Sequence, residues 1–527
     1  MILNKIKSYI PVAVAVLTMG TMTTSCTKDL DVENINPQQT SKLDQDALLN
    51  KIYSSFVLTG QTGPDGNKDI QDIDEGRSDL YRKSWEMQEF PTGEASWQWD
   101  DTGLPELLNK TWGADNASSV GLYYRLFFSI TLCNYYLDEV EDDGSTDAKQ
   151  KRAEVRFIRS LLYYNVMDLY GNAAFVEHVS TEPGVRYTRP DYYKYIESEL
   201  LAIDADLAAP GANQYGRVDK VAAWLLLSRL YLNAEVYTGT AQWQKAKEYA
   251  DKVINNGYYH LNTTGHTNEK TGEIFSAYQM LFLADNDTNG AQFENIFPIF
   301  NDHIYTKSHG SMHFLVLSNY AKRDNSDMDV IIPSGTDVSW GKCMAVTGQL
   351  VDAFFGTGVA APATTTDITD ITNAAKDDRA LFYTTNFTRD ITDRSQESQG
   401  YGCVKFRNVP SNDDYGTMDK VDTDLPLMRI AEAYLTYAEA ETRLHGSTED
   451  AAEKINAVRH RANAVEHGSY DLASIQEEWT REFWFEGRAR MDQIRFGSYN
   501  VPKFRYIYPI PYNDLTNNPN LVQNPGY

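Results

Sequence analysis

Three tryptophans stand in a polar segment whose composition suits the binding of a sugar. Gln71–Asp101 is rich in acids and lacks sustained periodicity, yet it contains Trp85, Trp97 and Trp99. In an extended segment, Trp97 and Trp99 would point to one face because a single residue separates them. Indoles can stack on the apolar faces of pyranose rings, while the carboxylates and Arg82 can hydrogen-bond the sugar hydroxyls. The alternative is that these indoles pack beneath a long loop, the commoner fate of tryptophan.

A second group of oxygen-bearing residues could bind a metal ion. Asp285, Asp287 and Asn289 alternate along the chain, and Glu294 follows. Acids and amides at such positions could hold a structural Ca²⁺, although the full spacing of an EF-hand is missing. Turn chemistry alone would also explain Asn, Asp and Gly in this stretch. Calcium binding is therefore a hypothesis, and thermal melts that do not respond to a chelator would contradict it.

No motif in the sequence indicates an enzyme. The GxSxG elbow, HExxH, Walker loop and GxGxxG fingerprint are all missing. Glu477-Glu478 could be imagined as glycosidase carboxylates, but neighbouring charges on a helical run predict surface ion pairing instead. His309 and His313 have the i, i+4 spacing of zinc ligands, but Gly310 weakens a helix there and no third ligand stands out. We therefore expect binding rather than catalysis.

Amphipathic helices are the elements expected to position these residues. Arg429–Ala440 carries apolar and small residues at helical spacing, and Gly446 then provides a helix stop. A second periodic run follows over Ala451–Ala462. Small residues along the first run would allow a neighbouring helix to approach closely. The two runs together predict an antiparallel helical hairpin.

The same pattern occurs twice more in the chain. Val221–Glu235 and Trp243–Ile254 are helical runs on either side of Gly239, and Leu122–Leu137 with Ala153–Tyr170 forms a looser copy. Such pairs resemble tetratricopeptide units, which must stack on neighbours to bury their faces. Because the spacing is irregular, we expect repeats embedded in one domain. Ordinary helical hairpins without repeat ancestry are the alternative.

Composition is that of an acidic globular protein. The 48 Lys and Arg against 74 Asp and Glu give a net charge of −26, which argues against binding nucleic acid or an anionic membrane surface. A hydrophobic fraction of 42% allows an ample core. Beyond Cys26, the odd set of Cys133, Cys343 and Cys403 has no metal or disulfide pattern. Buried structural thiols are expected.

The first 25 residues are predicted to be a signal peptide rather than part of the fold. Lys5 and Lys7 precede the apolar run Ile10–Leu17, and small residues then lead to Cys26. This order is that of a bacterial lipoprotein signal, in which lipidation of Cys26 would anchor the protein without a spanning helix. Ordinary secretion with cleavage nearby is the alternative. Residues 26–40 would be an acidic tether, and residues 41–527 a single domain.

Motifs spread along the chain resemble those of the SusD/RagB family, the surface glycan-binding lipoproteins of Bacteroidetes. These motifs are Tyr123–Leu126, Ala153–Arg159, Asp422–Leu427 leading into Arg429–Glu441, Trp479–Arg488, Arg495–Gly497, Tyr508–Pro511 and Asn520–Tyr527. The acidic tether also looks like the surface-export signal of such lipoproteins, although acidic stretches are more often solvated tails.

The resemblance implies a mainly α-helical fold of tetratricopeptide-like hairpins, with inserted irregular segments that carry the ligand site. It further implies a capture and lid subunit on a SusC-like TonB-dependent transporter of the outer membrane. In starch binders of the family an arc of aromatics matches the curve of the α-glucan. By this resemblance the site residues here are Asp74, Arg82, Trp97, Trp99 and Trp340. Trp340 also lies in a Ser-, Gly- and Asp-rich loop, where a core residue is not expected.

The sequence departs from the family's starch site at two places. An asparagine after the tryptophan pair aligns with Asp101 or Thr102, so a contact to a hydroxyl is lost or rewired. A tyrosine of the arc falls near His313 and Phe314, and Tyr320 is a candidate substitute. The resemblance implies capture of starch or malto-oligosaccharides, and the two departures leave open a related glucan with a different curvature. The alternatives are another cargo on the same scaffold, such as a fructan, a host glycan or a peptide, or a structural lid that binds nothing by itself.

Overall fold

Helices dominate the computed structural model, which describes residues 43–60, 69–70, 74–321 and 328–527. The predicted signal peptide, Cys26 and the tether to residue 40 lie outside these ranges. The helices are α1 Gln45–Ser54, α2 Leu80–Glu89, α3 Leu104–Leu108, α4 Ala117–Glu139, α5 Thr146–Tyr170, α6 Arg189–Ile203, α7 Lys220–Leu232, α8 Ala234–Thr238, α9 Trp243–Ile254, α10 Ser311–Asn319, α11 Met328–Ile331, α12 Gly348–Phe355, α13 Thr369–Ala375, α14 Ala431–His445, α15 Glu449–Arg461, α16 Leu472–Phe483, α17 Ala489–Phe496 and α18 Tyr512–Asn517.

The long helices pack in series as hairpins, as the sequence predicted. Each of α4, α5, α6 and α7 packs against the next, α9 packs against both α7 and α14, and α14 packs against α15. The glycines predicted to end helices do so: Gly239 and Gly446 have φ of 76° and 80°, a region that favours glycine. A fold of stacked helical hairpins is therefore confirmed.

One predicted helix is divided in the structure. The run predicted over residues 221–235 ends at Leu232, and α8 begins at Ala234. Between them, the side-chain amide of Asn233 donates to the carbonyl of Arg229 at 2.9 Å. An asparagine side chain that binds the backbone offers it an alternative to continued helix, which explains the break.

Short strands form the second type of element, and each pairs with one antiparallel partner. They are β1 Ala95–Trp97, β2 Ala173–Phe175, β3 Val185–Tyr187, β4 His266–Thr267, β5 Ile274–Phe275, β6 Asn295–Ile299, β7 Met344–Val346, β8 Phe382–Tyr383, β9 Gly402–Cys403 and β10 Leu425–Arg429. The pairs are β1 with β7, β2 with β3, β4 with β5, β6 with β10 and β8 with β9. Residues 255–430, inserted between α9 and α14, carry the seven strands β4–β10 together with α10–α13.

A buried network of charges joins this insertion to the last hairpins. Glu482 of α16 accepts hydrogen bonds from Arg429 at 2.8 Å, from Arg379 at 3.2 Å and from Arg461. Arg429 and Arg461 also bind Glu294, at 2.7 Å and 2.9 Å. All five side chains are fully buried. Each charge has an oppositely charged partner, which is the condition for burying charges in a protein core.

The same network corrects the prediction that Glu477-Glu478 is a surface pair. Glu477 is exposed and pairs with Arg481, but Glu478 is fully buried and pairs with Arg379 and Arg459. Cys133, Cys343 and Cys403 are free and buried, as predicted. No helix in the described ranges combines the length and the apolar character that crossing a membrane requires.

Candidate functional site

A two-stranded sheet fixes the predicted tryptophan pair. β1 pairs with β7 in antiparallel register, with Trp97 opposite Met344. The next residue, Gln98, adds a backbone hydrogen bond to the carbonyl of Cys343 at 2.7 Å. Trp99 therefore lies just beyond the end of the strand, where its side chain can reach solvent.

The two indoles meet edge to face but differ in exposure. Their centroids are 5.7 Å apart and their planes are inclined by 78°. Trp97 is fully buried, whereas 37% of Trp99 is exposed. The indole N–H of Trp97 donates to Oδ2 of Asp101 at 2.8 Å. Trp97 thus supports Trp99 from below and fixes a carboxylate beside it, and Trp99 offers the accessible ring.

Arg82 lies at the centre of the aromatic cluster. Its guanidinium carbon is 4.7 Å from the ring centroid of Phe314, 5.3 Å from that of Trp340 and 5.8 Å from that of Trp97. Its Nη1 donates to the carbonyls of Gly76 and His309 at 3.3 Å each. The cation therefore connects the turn before α2 to the loop before α10, and favourable cation–π contacts hold the rings around it.

Trp340 forms the other side of the cluster and is half-buried. Its ring meets the imidazoles of His309 and His313 edge to face, at centroid distances of 6.0 Å and 5.9 Å. Those two imidazoles stack on each other at 5.6 Å. The backbone N–H of Trp340 donates to the carbonyl of Leu317 at 2.9 Å, which fixes this loop to α10.

Polar groups surround the accessible rings. Asp74 and Thr102 are exposed, and the Asp101 side chain is 27% exposed. Nη1 of Arg77 lies 3.8 Å from Oδ1 of Asp101. Carboxylates, a hydroxyl and a guanidinium beside an aromatic ring provide the donors and acceptors that sugar hydroxyls need.

The structure does not bring every predicted residue to the surface. His313, Phe314 and Tyr320 are at most 3% exposed, and the Tyr320 hydroxyl is buried without a hydrogen-bond partner among the described residues. Direct contact of these three with a ligand is therefore not supported, and the same holds for Trp97 and Arg82, which are 0% and 4% exposed. His313 and Phe314 support Trp340 and Arg82 from beneath, because α10 turns both into the interior. Tyr320 follows α10 and lies in the core.

Buried charges beneath the rings have perturbed pKa values. Burial raises the pKa of Asp79, the N-cap of α2, to about 6. Burial also lowers the pKa of Lys83 to about 8. Burial would raise the pKa of Glu86, but the charges of Lys83, Arg77 and Arg82 outweigh it and hold that pKa at about 2. A net positive cluster around one ionised glutamate thus underlies the site.

Sequence reasoning did not assign three residues of these segments to the ligand site. Arg77 lies at the rim, and its Nε has no hydrogen-bond partner among the described residues. His309 packs against Trp340, and Tyr305, in the same loop, is 80% exposed. The exposure of Tyr305 depends on the conformation of the loop, and the neighbouring residues Ile304 and Thr306 do not predict that conformation. Arg77 follows directly on Asp74-Glu75-Gly76, so its place beside a predicted site residue could have been noticed.

The residues proposed for calcium do not converge on one point. Asp285 accepts hydrogen bonds from Ser411 and from Asn289, the latter at 3.1 Å. Asp287 accepts from Thr288 at 3.2 Å. Glu294 is engaged by arginines in the buried network. Within the described ranges, no group of three or more His, Cys, Asp or Glu side chains is arranged to hold a metal ion.

Comparisons with known proteins identify the scaffold. The family model described as "SusD family" matches residues 377–501, and a model described as "Starch-binding associating with outer membrane" matches residues 28–232. The starch-binding protein SusD of Bacteroides thetaiotaomicron is 36% identical to this chain over 567 aligned positions, covering 98% of this chain and 97% of the relative.

Solved structures share the fold at lower identity. A SusD superfamily protein of Parabacteroides distasonis superimposes with a TM-score of 0.67 at 20% identity, over 93% of this chain and all of the other. The surface glycan-binding protein A of Bacteroides uniformis gives a TM-score of 0.65 at 19% identity, over 91% and 98% of the two chains. With the full-length match to a curated member at 36% identity, these findings show that the chain belongs to the SusD family.

Proposed function

We propose that this protein is a non-catalytic binding protein that captures starch or malto-oligosaccharides at the cell surface. The observation that carries the proposal is the arrangement of Trp99 and Trp340 on either side of the Arg82 cluster. Trp99 is 37% exposed and Trp340 half-buried, so both retain ring surface that a ligand could cover. Asp74, Asp101 and Thr102 provide polar groups beside them.

Several observations support an α-glucan as the ligand. The full-length relative at 36% identity is named a starch-binding protein. The Arg82–Trp97 core of the predicted site is buried and hydrogen-bonded, so its outer rings are held before a ligand arrives. Preorganisation of this kind lowers the entropic cost of binding. We also propose Tyr305 and Arg77 as additional contacts, because both lie in segments that Arg82 connects.

The proposed cellular role is delivery of the glycan to a SusC-like TonB-dependent transporter. Lipidation of Cys26 would anchor the protein to the outer membrane, and the acidic tether would present it at the cell surface. A few stacked rings and charge-assisted hydrogen bonds give modest affinity at each subsite. Long polymers and crowded copies of the protein then raise avidity. Reversible capture suits a protein that must release its cargo to a transporter.

Affinity electrophoresis tests the ligand class directly. The chain from residue 27 onward would run through native gels containing amylopectin, pullulan, dextran, levan or no glycan. We expect retardation by amylopectin and pullulan but not by dextran, because the rings would follow α-1,4-linked glucose. If no α-glucan retards the protein, the starch assignment fails while the family and the fold stand.

Another cargo is the second candidate function. Thr102 stands near the position where starch binders of the family carry an asparagine, and it is exposed beside Trp99. A shorter polar group there would suit a glycan with a different arrangement of hydroxyls, such as a fructan or a host glycan. Retardation by levan, or by none of the α-glucans, would favour this reading. A protein that no glycan or peptide retards would instead be a structural lid of the transporter.

A further inference from the structure

We propose that residues 393–400, here named the Arg394 loop, are a positioning element that fixes Trp99 relative to Trp340. The loop would thereby set the curvature of the glucan that the site accepts. This inference rests on the proposed function, because it concerns how the same site selects among α-glucans. None of the loop residues needs to touch the sugar for the proposal to hold.

The sheet ends before the exposed tryptophan, and beyond that point hydrogen bonds from Arg394 hold the backbone. β1 ends at Trp97, and the last backbone hydrogen bond to the β7 segment comes from Gln98. Beyond that point, Nη1 of Arg394 donates to the carbonyls of Trp97 and Trp99 at 3.2 Å and 3.1 Å. Its Nη2 binds Oδ1 of Asp100 at 2.7 Å. The backbone that carries Trp99 is therefore held by a guanidinium from a distant part of the chain.

The same loop also holds the segment that carries Trp340. Nζ of Lys342 donates to the carbonyls of Gln399 and Gly400 at 3.2 Å and 3.0 Å. The side-chain amide of Gln98, between the two tryptophans, donates to the carbonyls of Gln396 and Gln399 at 3.1 Å each. One carbonyl, that of Gln399, thus accepts hydrogen bonds from both aromatic segments.

Internal hydrogen bonds make the loop stiff enough for this role. Oε1 of Gln399 accepts from the backbone N–H groups of Thr392 and Asp393 at 2.6 Å and 2.8 Å, which closes the loop on itself. Beyond it, Tyr401 exchanges two backbone hydrogen bonds with Val346 of β7, at 2.9 Å and 3.1 Å. The loop is therefore connected to the sheet that carries Trp97, and a shift of the loop would move both aromatic segments.

A fixed separation between two rings discriminates among ligands by shape. A cyclic glucan has a set curvature and can cover both rings only when their separation matches it. A linear glucan of equal length can bend to suit a displaced ring. Loosening the Arg394 loop should therefore weaken binding of the cyclic ligand more than that of the linear one, because preorganisation matters most for a rigid partner.

Calorimetric titration of four proteins with maltoheptaose and β-cyclodextrin tests this. The proteins are the wild type, Arg394→Ala, Gln98→Leu and the control Arg389→Ala. Arg389 belongs to the same segment, but its bonds go to Asp352, Asp390 and Gly348. For Arg394→Ala and Gln98→Leu we expect about tenfold weaker binding of the cyclic ligand and less than about threefold weaker binding of the linear one. Arg389→Ala should change neither, and unchanged Tm values verify the fold.

A separate measurement tests the positioning role if the wild type binds no α-glucan, an outcome that would overturn the proposed function and the selection among α-glucans but not the positioning of Trp99. Iodide quenching of Trp99, obtained by subtracting the signal of matched Trp99→Phe variants, should increase in Arg394→Ala and not in Arg389→Ala. Unchanged quenching would overturn the positioning role. Equal losses of affinity for both ligands in Arg394→Ala, or equal effects of Arg389→Ala, would also overturn it.

Discussion

Trp97 and Trp99 have the same side chain, stand two residues apart and perform different tasks. Trp97 is enclosed by Phe90, Phe314 and Trp99, and its N–H is bound to Asp101. Trp99 has solvent on one side. A residue's contribution to the site is therefore decided by what covers it, and the two tryptophans provide a matched pair of substitutions.

Replacement of each tryptophan by alanine should separate stability from binding. Trp97→Ala empties a fully buried site, and we expect the free energy of unfolding to fall by about 3–5 kcal/mol. Trp99→Ala removes a partly exposed ring, so stability should change by less than about 1 kcal/mol. Glycan affinity should nevertheless fall roughly tenfold. Urea denaturation and calorimetric titration measure the two quantities, and unchanged affinity in Trp99→Ala would contradict the site.

The junction of α2, β1 and α17 contains two buried carboxyl groups. Glu89, the last residue of α2, accepts from the backbone N–H groups of Gly487 and Arg488 at 2.8 Å and 3.0 Å. Glu94, just before β1, accepts from the side chain of Gln493 at 3.0 Å. Burial raises the pKa of Glu89 to about 8 and that of Glu94 to about 7; the charge of Glu94 adds to the rise at Glu89, and the charge of Asp492 adds to the rise at Glu94. A protonated carboxyl is thus the form that this junction favours.

These raised pKa values predict that stability falls as pH rises. Between about pH 5 and pH 8 the unfolded chain has released these protons while the folded chain retains them, so rising pH favours unfolding. Glu94→Gln is neutral throughout and keeps an acceptor for Gln493. We expect it to flatten the pH dependence and to stabilise the protein at pH 8 by on the order of 1–2 kcal/mol.

Urea denaturation at pH 5 and pH 8 measures this effect. Glu106→Gln is a suitable control, because Glu106 is an exposed glutamate of the nearby helix α3. It should leave the pH dependence unchanged. If Glu94→Gln destabilises the protein at pH 8, the fold requires the carboxylate form of Glu94. The predicted fall of stability with rising pH would then be wrong.

Elements with local patterns were predictable, and contacts between distant segments were not. α9 spans the predicted residues because an amphipathic period records which face of a helix is covered. The exposure of Trp99, by contrast, depends on partners that no local pattern encodes. Arg82 reaches the carbonyl of His309, 227 positions away, and Arg394 reaches that of Trp99, 295 positions away. Composition and spacing indicated Trp97, Trp99 and Arg82, and the family resemblance added further site residues, but neither could tell a buried supporting ring from an accessible one.

At the scale of the whole molecule, the buried charges connect parts that are far apart in sequence. Glu482 forms ion pairs with arginines from β10, from α15 and from the segment after α13. Burial would raise the pKa of Glu482, but Arg461, Arg429 and Arg379 hold it at about 2. The inserted residues that carry much of the site are thus fastened to the last hairpins by charge as well as by apolar packing.

Removal of the Glu482 charge should destabilise the whole fold. Glu482→Gln leaves three buried guanidinium groups with too little negative charge, and we expect a loss of about 3–5 kcal/mol in the free energy of unfolding. Glu477→Gln, on the same helix, removes a side chain that is 59% exposed and should cost less than about 1 kcal/mol. Similar Tm values for the two variants would show that the network contributes little.

The place of α9 between α7 and α14 has a consequence for how the chain folds. α7 and α9 follow each other in synthesis, but α14 begins only at Ala431. Until then, one apolar side of α9 has no native partner. The buried charges of the inserted residues must wait still longer, for Arg461 of α15 and Glu482 of α16. Contacts between such distant segments slow folding and leave intermediates whose exposed apolar surface promotes aggregation. A nascent chain that stops before residue 431 should therefore be aggregation-prone, however complete its first hairpins are.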